Sequence, residues 1–113
     1  MPCAILFLLL GDEIMKVITI TGSMKFARQM KDIARKLEDQ KGYCVLQPIY
    51  HNKKLKLTIE ELENVHAGLM KKIDLCDALY VVNIGGYVGE FTKNAIKYAK
   101  KNKKEVIYHE PLK

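Results

Sequence analysis

Two short stretches combine residue types suited to holding or altering a small ligand. The first is Gly85-Gly86-Tyr87-Val88-Gly89-Glu90-Phe91-Thr92, which follows a continuous apolar run and precedes a segment with helical spacing. Three glycines in five residues cost conformational entropy. Either a turn with positive φ or the close approach of backbone to a ligand explains them. A junction between a buried strand and a helix N-terminus offers unpaired N–H groups and a positive dipole end, which suits an anionic or sugar-bearing ligand. The second stretch, Thr21-Gly22-Ser23-Met24-Lys25, also closes a strand and adds a hydroxyl and an ammonium group. Glu90 is the candidate acid. As a first-turn carboxylate it complements the helix dipole; as a catalyst it would act as nucleophile or acid/base at a sugar carbon. Asp77, just before the apolar run, could cap a turn or hydrogen-bond a loop.

Several other chemistries are disfavoured. No G-x-G-x-x-G follows the first strand and no G-x-x-x-x-G-K-[ST] occurs, which argues against a dinucleotide oxidoreductase and a P-loop NTPase. Ser23 lacks the G-x-S-x-G elbow of a hydrolase nucleophile. Residues 19–23 lack the hydroxyl run of an FMN phosphate loop, so no cofactor is expected. Cys3, Cys44 and Cys76 are odd in number and far apart, and His51, His66 and His109 show no ligand spacing. A disulfide framework and a structural metal are both disfavoured; Cys44 and Cys76 read as small core residues of a reduced, cytoplasmic protein. The net charge of +6 is carried by lysine, with Arg28 and Arg35 the only arginines. That balance describes a solvated surface friendly to small anions, rather than one that reads nucleic acid through bidentate arginine contacts.

The 113 residues suffice for one domain. Residues 4–10 are all apolar, yet too few to span a bilayer, and they lack the flanks of a secretory signal. The first convincing strand begins just after Met15. Residues 1–14 are therefore expected to be a non-native or disordered leader, with an assembly arm as the alternative, and residues 15–113 the domain. Residues 16–21 are β-branched and read as a strand. Ser23 is a candidate N-cap for a helix with Phe26, Met30, Ile33, Ala34 and Leu37 on one face. A second strand is expected over 43–49, ended by Pro48. Thr58 and Glu61 fit a capping box. The helix they open carries Ile59, Leu62, Val65, Leu69, Ile73 and Cys76 on one face, with His66 at its border as a partly buried helix residue. After the third strand and the glycine turn, Val88, Thr92, Ala95, Ile96 and Ala99 mark a third helix; Asn102 stops it, and residues 105–108 make a fourth strand. The order β-α-β-α-β-α-β predicts an α/β fold: a flavodoxin-like three-layer sandwich with a four-stranded parallel sheet and helices on both faces. Ligands of such sheets bind at the carboxyl ends of the strands, beside the point where strand order reverses. With the first and third strands adjacent there, the two chemistry-bearing loops would face one crevice.

Residues 19–26, 72–83 and 85–92 together resemble the nucleoside 2-deoxyribosyltransferase-like superfamily, most closely its small bacterial and phage branch. The resemblance covers residues 16–110, and the Gly-Gly-Tyr-x-Gly-Glu block is its most specific part. It implies a flavodoxin-like, usually dimeric protein that binds nucleosides or nucleotides. Characterised members cleave or transfer the N-glycosidic bond through a glutamate on the third helix, as hydrolases or transferases. Gly22, Ser23, Met24 and Lys25 would contact the sugar or the 5′-phosphate. Asp77, Gly85, Gly86, Tyr87, Gly89 and Thr92 complete the expected substrate contacts, and Glu90 is the remaining catalytic acid. Two positions depart from the family pattern: Ala95 stands where the nucleophilic glutamate is expected, and Leu69 where a substrate-positioning aspartate is expected. Three readings follow. The chain cleaves or transfers with Glu90; or it is a catalytically inactive relative that binds a nucleotide-derived ligand; or it is an interaction module whose third helix, with Lys93, Lys97, Lys100 and Lys101, meets an acidic partner. The expected partners are a nucleoside or nucleotide and a second copy of the chain, with no membrane.

Overall fold

A computed structural model describes residues 15–51 and 54–112; the leader assigned to residues 1–14 lies outside the described residues. β1 (Val17–Gly22) is built from Val, Ile and Thr, which suit a pleated, buried surface, and its four inner residues are buried. A single 3₁₀ turn, Met24–Phe26, separates it from α1 (Ala27–Asp39). The Ser23 hydroxyl accepts from the Lys25 amide at 3.3 Å, so the expected cap closes this short turn rather than the α-helix itself. α1 buries Met30 and Ala34, as the helical spacing predicts. Gly42, with φ of 73°, turns the chain into β2 (Cys44–Leu46). β2 is shorter than the expected 43–49 run. It lies at the sheet edge, and Pro48 has no N–H to continue the ladder.

α2 (Ile59–Leu75) opens with the complete capping box: the Thr58 hydroxyl accepts from the Glu61 amide at 3.1 Å, and the Glu61 carboxylate accepts from the Thr58 amide at 2.8 Å. β3 (Ala78–Val82) follows, then α3 (Glu90–Lys101), capped by Asn102, and β4 (Glu105–Tyr108).

The sheet order is β2-β1-β3-β4, parallel throughout, with Ile18 opposite Ala78 and Gly22 opposite Val82. α1 covers one face over Ile18, Ile20, Ala78 and Val82. α2 and α3 cover the other, where Leu79 and Val81 meet Ile73, Ala95 and Ala99. This is the flavodoxin-like three-layer sandwich predicted from the alternation of elements. Polar ties run between the layers: the Thr19 hydroxyl donates to the Lys72 carbonyl at 2.7 Å, and the Val45 amide donates to the Glu38 carboxylate at 2.9 Å. Among the described residues no buried side-chain nitrogen or oxygen lacks a partner. Cys76 is buried and Cys44 half-buried, and both thiols are free. No helix among the described residues is long and apolar enough to cross a membrane.

Candidate ligand site

The strand order reverses between β1 and β3, so the loops leaving their carboxyl ends lie side by side. The β3 loop is a 3₁₀ turn over Ile84–Gly86 in which Gly85 and Gly86 take φ of 66° and 80°. Non-glycine residues are strained there, which accounts for two of the three glycines by turn geometry. The turn is tied from inside and from the tail. The Gly86 amide donates to the Asn83 carbonyl at 2.8 Å, and the Gly85 amide donates to the Glu110 carboxylate at 3.1 Å. Asn83, 1% exposed, holds the Glu110 backbone through two hydrogen bonds of 2.9 and 2.7 Å. The two loops meet where the Lys25 ammonium stands 3.3 Å from the centroid of the Tyr87 ring, with Phe26 packed edge-on against the same ring. A cation over an aromatic face is attracted by the ring quadrupole. Gly89, in extended backbone, caps α3 without any side-chain hydrogen bond. The helix start is thus left with donors that no capping side chain takes.

Beside these loops, on the α2–α3 face, lies a cavity of about 320 Å³. Thr21 and Gly22 form its end at β1, and Met24, Pro48 and Ile49 come from the loops after β1 and β2. α2 contributes Leu62, Val65, Gly68 and Leu69, and the first turn of α3 contributes Phe91 and Thr92. The walls are mainly apolar, with His51, His66 and Lys72 as their basic groups. The His66 ring packs at a tilt on Phe91, 5.9 Å between centroids, and the Lys72 ammonium donates to the Gln47 carbonyl at 2.7 Å. Among the described residues no carboxylate lines this cavity.

Of the residues singled out from the sequence, Gly22, Met24 and Thr92 line the cavity. Lys25 and Tyr87 form the contact between the loops rather than the lining, Ser23 caps the 3₁₀ turn and Gly89 caps α3. Gly85 and Gly86 border a separate hollow shared with Glu110, Pro111 and Leu112. Asp77 is not brought to this end of the sheet. It precedes β3, and its carboxylate accepts from the Val17 amide at 2.8 Å, joining the amino ends of β1 and β3. The Glu90 side chain is 83% exposed and pairs with Lys93 at 3.5 Å. Ala95 is a buried residue of α3, and Leu69 is on the cavity wall.

His51, Lys72, Gly68 and Phe91 were not singled out by residue spacing, and His66 reads from its sequence as an ordinary helix residue. It is indeed half-buried, but on the cavity wall. The available signals were His66 at the border of an apolar face and Phe91 directly after Glu90. A second hollow of about 350 Å³ lies beside α1 on the opposite face. Several of its polar groups are already partnered: hydrogen bonds from Lys36 and then Arg35 hold the Asp32 carboxyl below its ordinary pKa, and the Tyr80 hydroxyl lies 2.7 Å from His109 Nδ1. Among the described residues, no three or more His, Cys, Asp or Glu side chains cluster in a way that could hold a metal ion. No family model matches the chain, and no curated protein matches it in sequence.

Proposed function

We propose that the protein binds a nucleoside or nucleotide in the cavity at the β1–β3 switch point, as a nucleoside 2-deoxyribosyltransferase-like scaffold that holds its ligand without cleaving the N-glycosidic bond. The observation that carries this reading is the lining of the cavity. Its volume of about 320 Å³ lies at the small end of ordinary ligand sites, roughly 300–1,000 Å³. Apolar walls suit a base; Thr21, Thr92 and the two imidazoles supply polar contacts at its edges; Lys72 and the start of α3, which has no side-chain cap, favour an anionic group. What is missing is a carboxylate against the anomeric carbon, which transfer through a glycosyl-enzyme intermediate requires. Ala95 is a buried methyl group and Glu90 faces solvent.

The alternative, cleavage or transfer by Glu90, has one observation in its favour. Glu90 shares the first turn of α3 with Phe91 and Thr92, which do line the cavity. Calorimetric titration with deoxynucleosides and their 5′-monophosphates, combined with chromatography for free base, separates the two. Binding with no released base is expected. Base release that disappears in Glu90→Ala would replace this reading with the catalytic one, and absence of any binding would remove both. The resemblance also implies a homodimer; sedimentation as a monomer at every concentration would count against it.

A further inference from the structure

Gly68 stands in the interior of α2, where glycine is less stable than alanine because it loses more backbone freedom. Turn geometry does not require it, since the helix runs on to Leu75. Packing does not require it either: among the described residues, nothing lies within 4 Å of where its Cβ would stand. The missing side chain nevertheless opens onto the cavity, with Val65 and Lys72 on the same side of the helix at the neighbouring turns. Met24 and Pro48 are part of the same lining. The bare backbone at Gly68 leaves open space beside the helix, and a thioether makes favourable contacts with aromatic rings.

We infer that Gly68 is the size-determining position of the ligand site, leaving room for a planar, uncharged ring of the ligand to lie against α2 within the lining shared by Met24 and Pro48. The inference rests on reading the cavity as a ligand site and adds to it the class of group that α2 accepts. A methyl group at position 68 projects into the space the ring needs, while improving the helix that carries it.

The test compares Gly68→Ala, the solvent-face control Asn64→Ala and the unaltered protein. Each is melted, then titrated with deoxyadenosine 5′-monophosphate and, separately, with indole as a planar ring without sugar or phosphate. Gly68→Ala is expected to melt about 4 °C higher and to bind both probes about tenfold more weakly or worse. Asn64→Ala is expected to bind like the unaltered protein. Indole binding that is lost in Gly68→Ala, with no binding of the nucleotide to any form, keeps this inference and removes the nucleotide reading. Equal binding of the probes by Gly68→Ala overturns it. So does a lower melting temperature for that variant, which would reveal a packing role, and so does a protein that binds neither probe.

Discussion

Gly22 and Gly68 both line the cavity, yet their surroundings predict opposite responses to the same substitution. A Cβ on Gly22 would stand 3.1 Å from both the Cβ and the carbonyl oxygen of Val82, and 3.2 Å from the Met30 sulfur. The sulfur ends a flexible side chain and can shift. The Val82 carbonyl belongs to β3, the neighbouring strand in the sheet, and cannot move without disturbing it. Gly22→Ala is therefore expected to cost roughly 1–3 kcal/mol through overpacking, read as a fall in melting temperature where Gly68→Ala gives a rise. A melting temperature unchanged by Gly22→Ala would mean that the end of β1 has slack. Glu90 shows a different limit of residue-level reasoning. Its place in a Gly-Gly-Tyr-x-Gly-Glu block draws attention to it, but among the described residues its carboxylate pairs with Lys93, and an exposed pair of this kind contributes little to stability.

Elements were more legible than the site, because their signals are local. The α2 capping box, the Asn102 stop and the alternation of strands and helices depend on neighbours a few residues apart, and each was readable as spacing. The true length of β2 was not, because its edge position is set by the rest of the sheet. The crevice at the ends of β1 and β3 followed from the alternation of elements, but the lining of the cavity was hidden for the same reason. His66 and Phe91 pack together from different helices, and other parts of the wall come from the ends of β1 and β2. The α2 cap yields its own prediction. The Thr58 backbone and then its side chain hold Glu61 below the ordinary carboxyl value of 4.5. A group whose folded pKa is depressed stabilises the fold above its unfolded value, and that contribution is lost as pH falls through the folded one. Melting curves of the unaltered protein and Glu61→Gln should therefore differ at neutral pH and converge below about pH 4.5. Curves that stay parallel through that range would show that the Glu61 charge is not what the cap uses. Thr58→Ala removes the acceptor at every pH, at a cost of about 1 kcal/mol.

At the scale of the whole molecule, Val17 and Asp77 join the amino ends of the two central strands, the Asp77 amide donating to the Val17 carbonyl at 2.7 Å. The Val17 amide donates to the Asp77 carboxylate across 60 residues of chain. Asp77→Ala should lower stability by about 0.5–1.5 kcal/mol and leave unchanged any binding at the proposed ligand cavity, because this end of the sheet is opposite it. Loss of binding at an unchanged melting temperature would return Asp77 to the substrate contact that the family resemblance implies for it.

The same separation has a consequence in time. β1 pairs with both β2 and β3, but Ile18 and its β3 partner Ala78 stand 60 residues apart in the chain. A ribosome adds about 5–20 residues per second, so one edge of β1 waits roughly 3–12 s for its partner to be synthesised. During that wait the nascent chain presents Val-Ile-Thr-Ile-Thr, uncharged and strongly β-forming, to whatever is nearby. The strand order that creates a crevice at one end of the finished sheet thus also sets how long each new chain remains open to pairing with its neighbours.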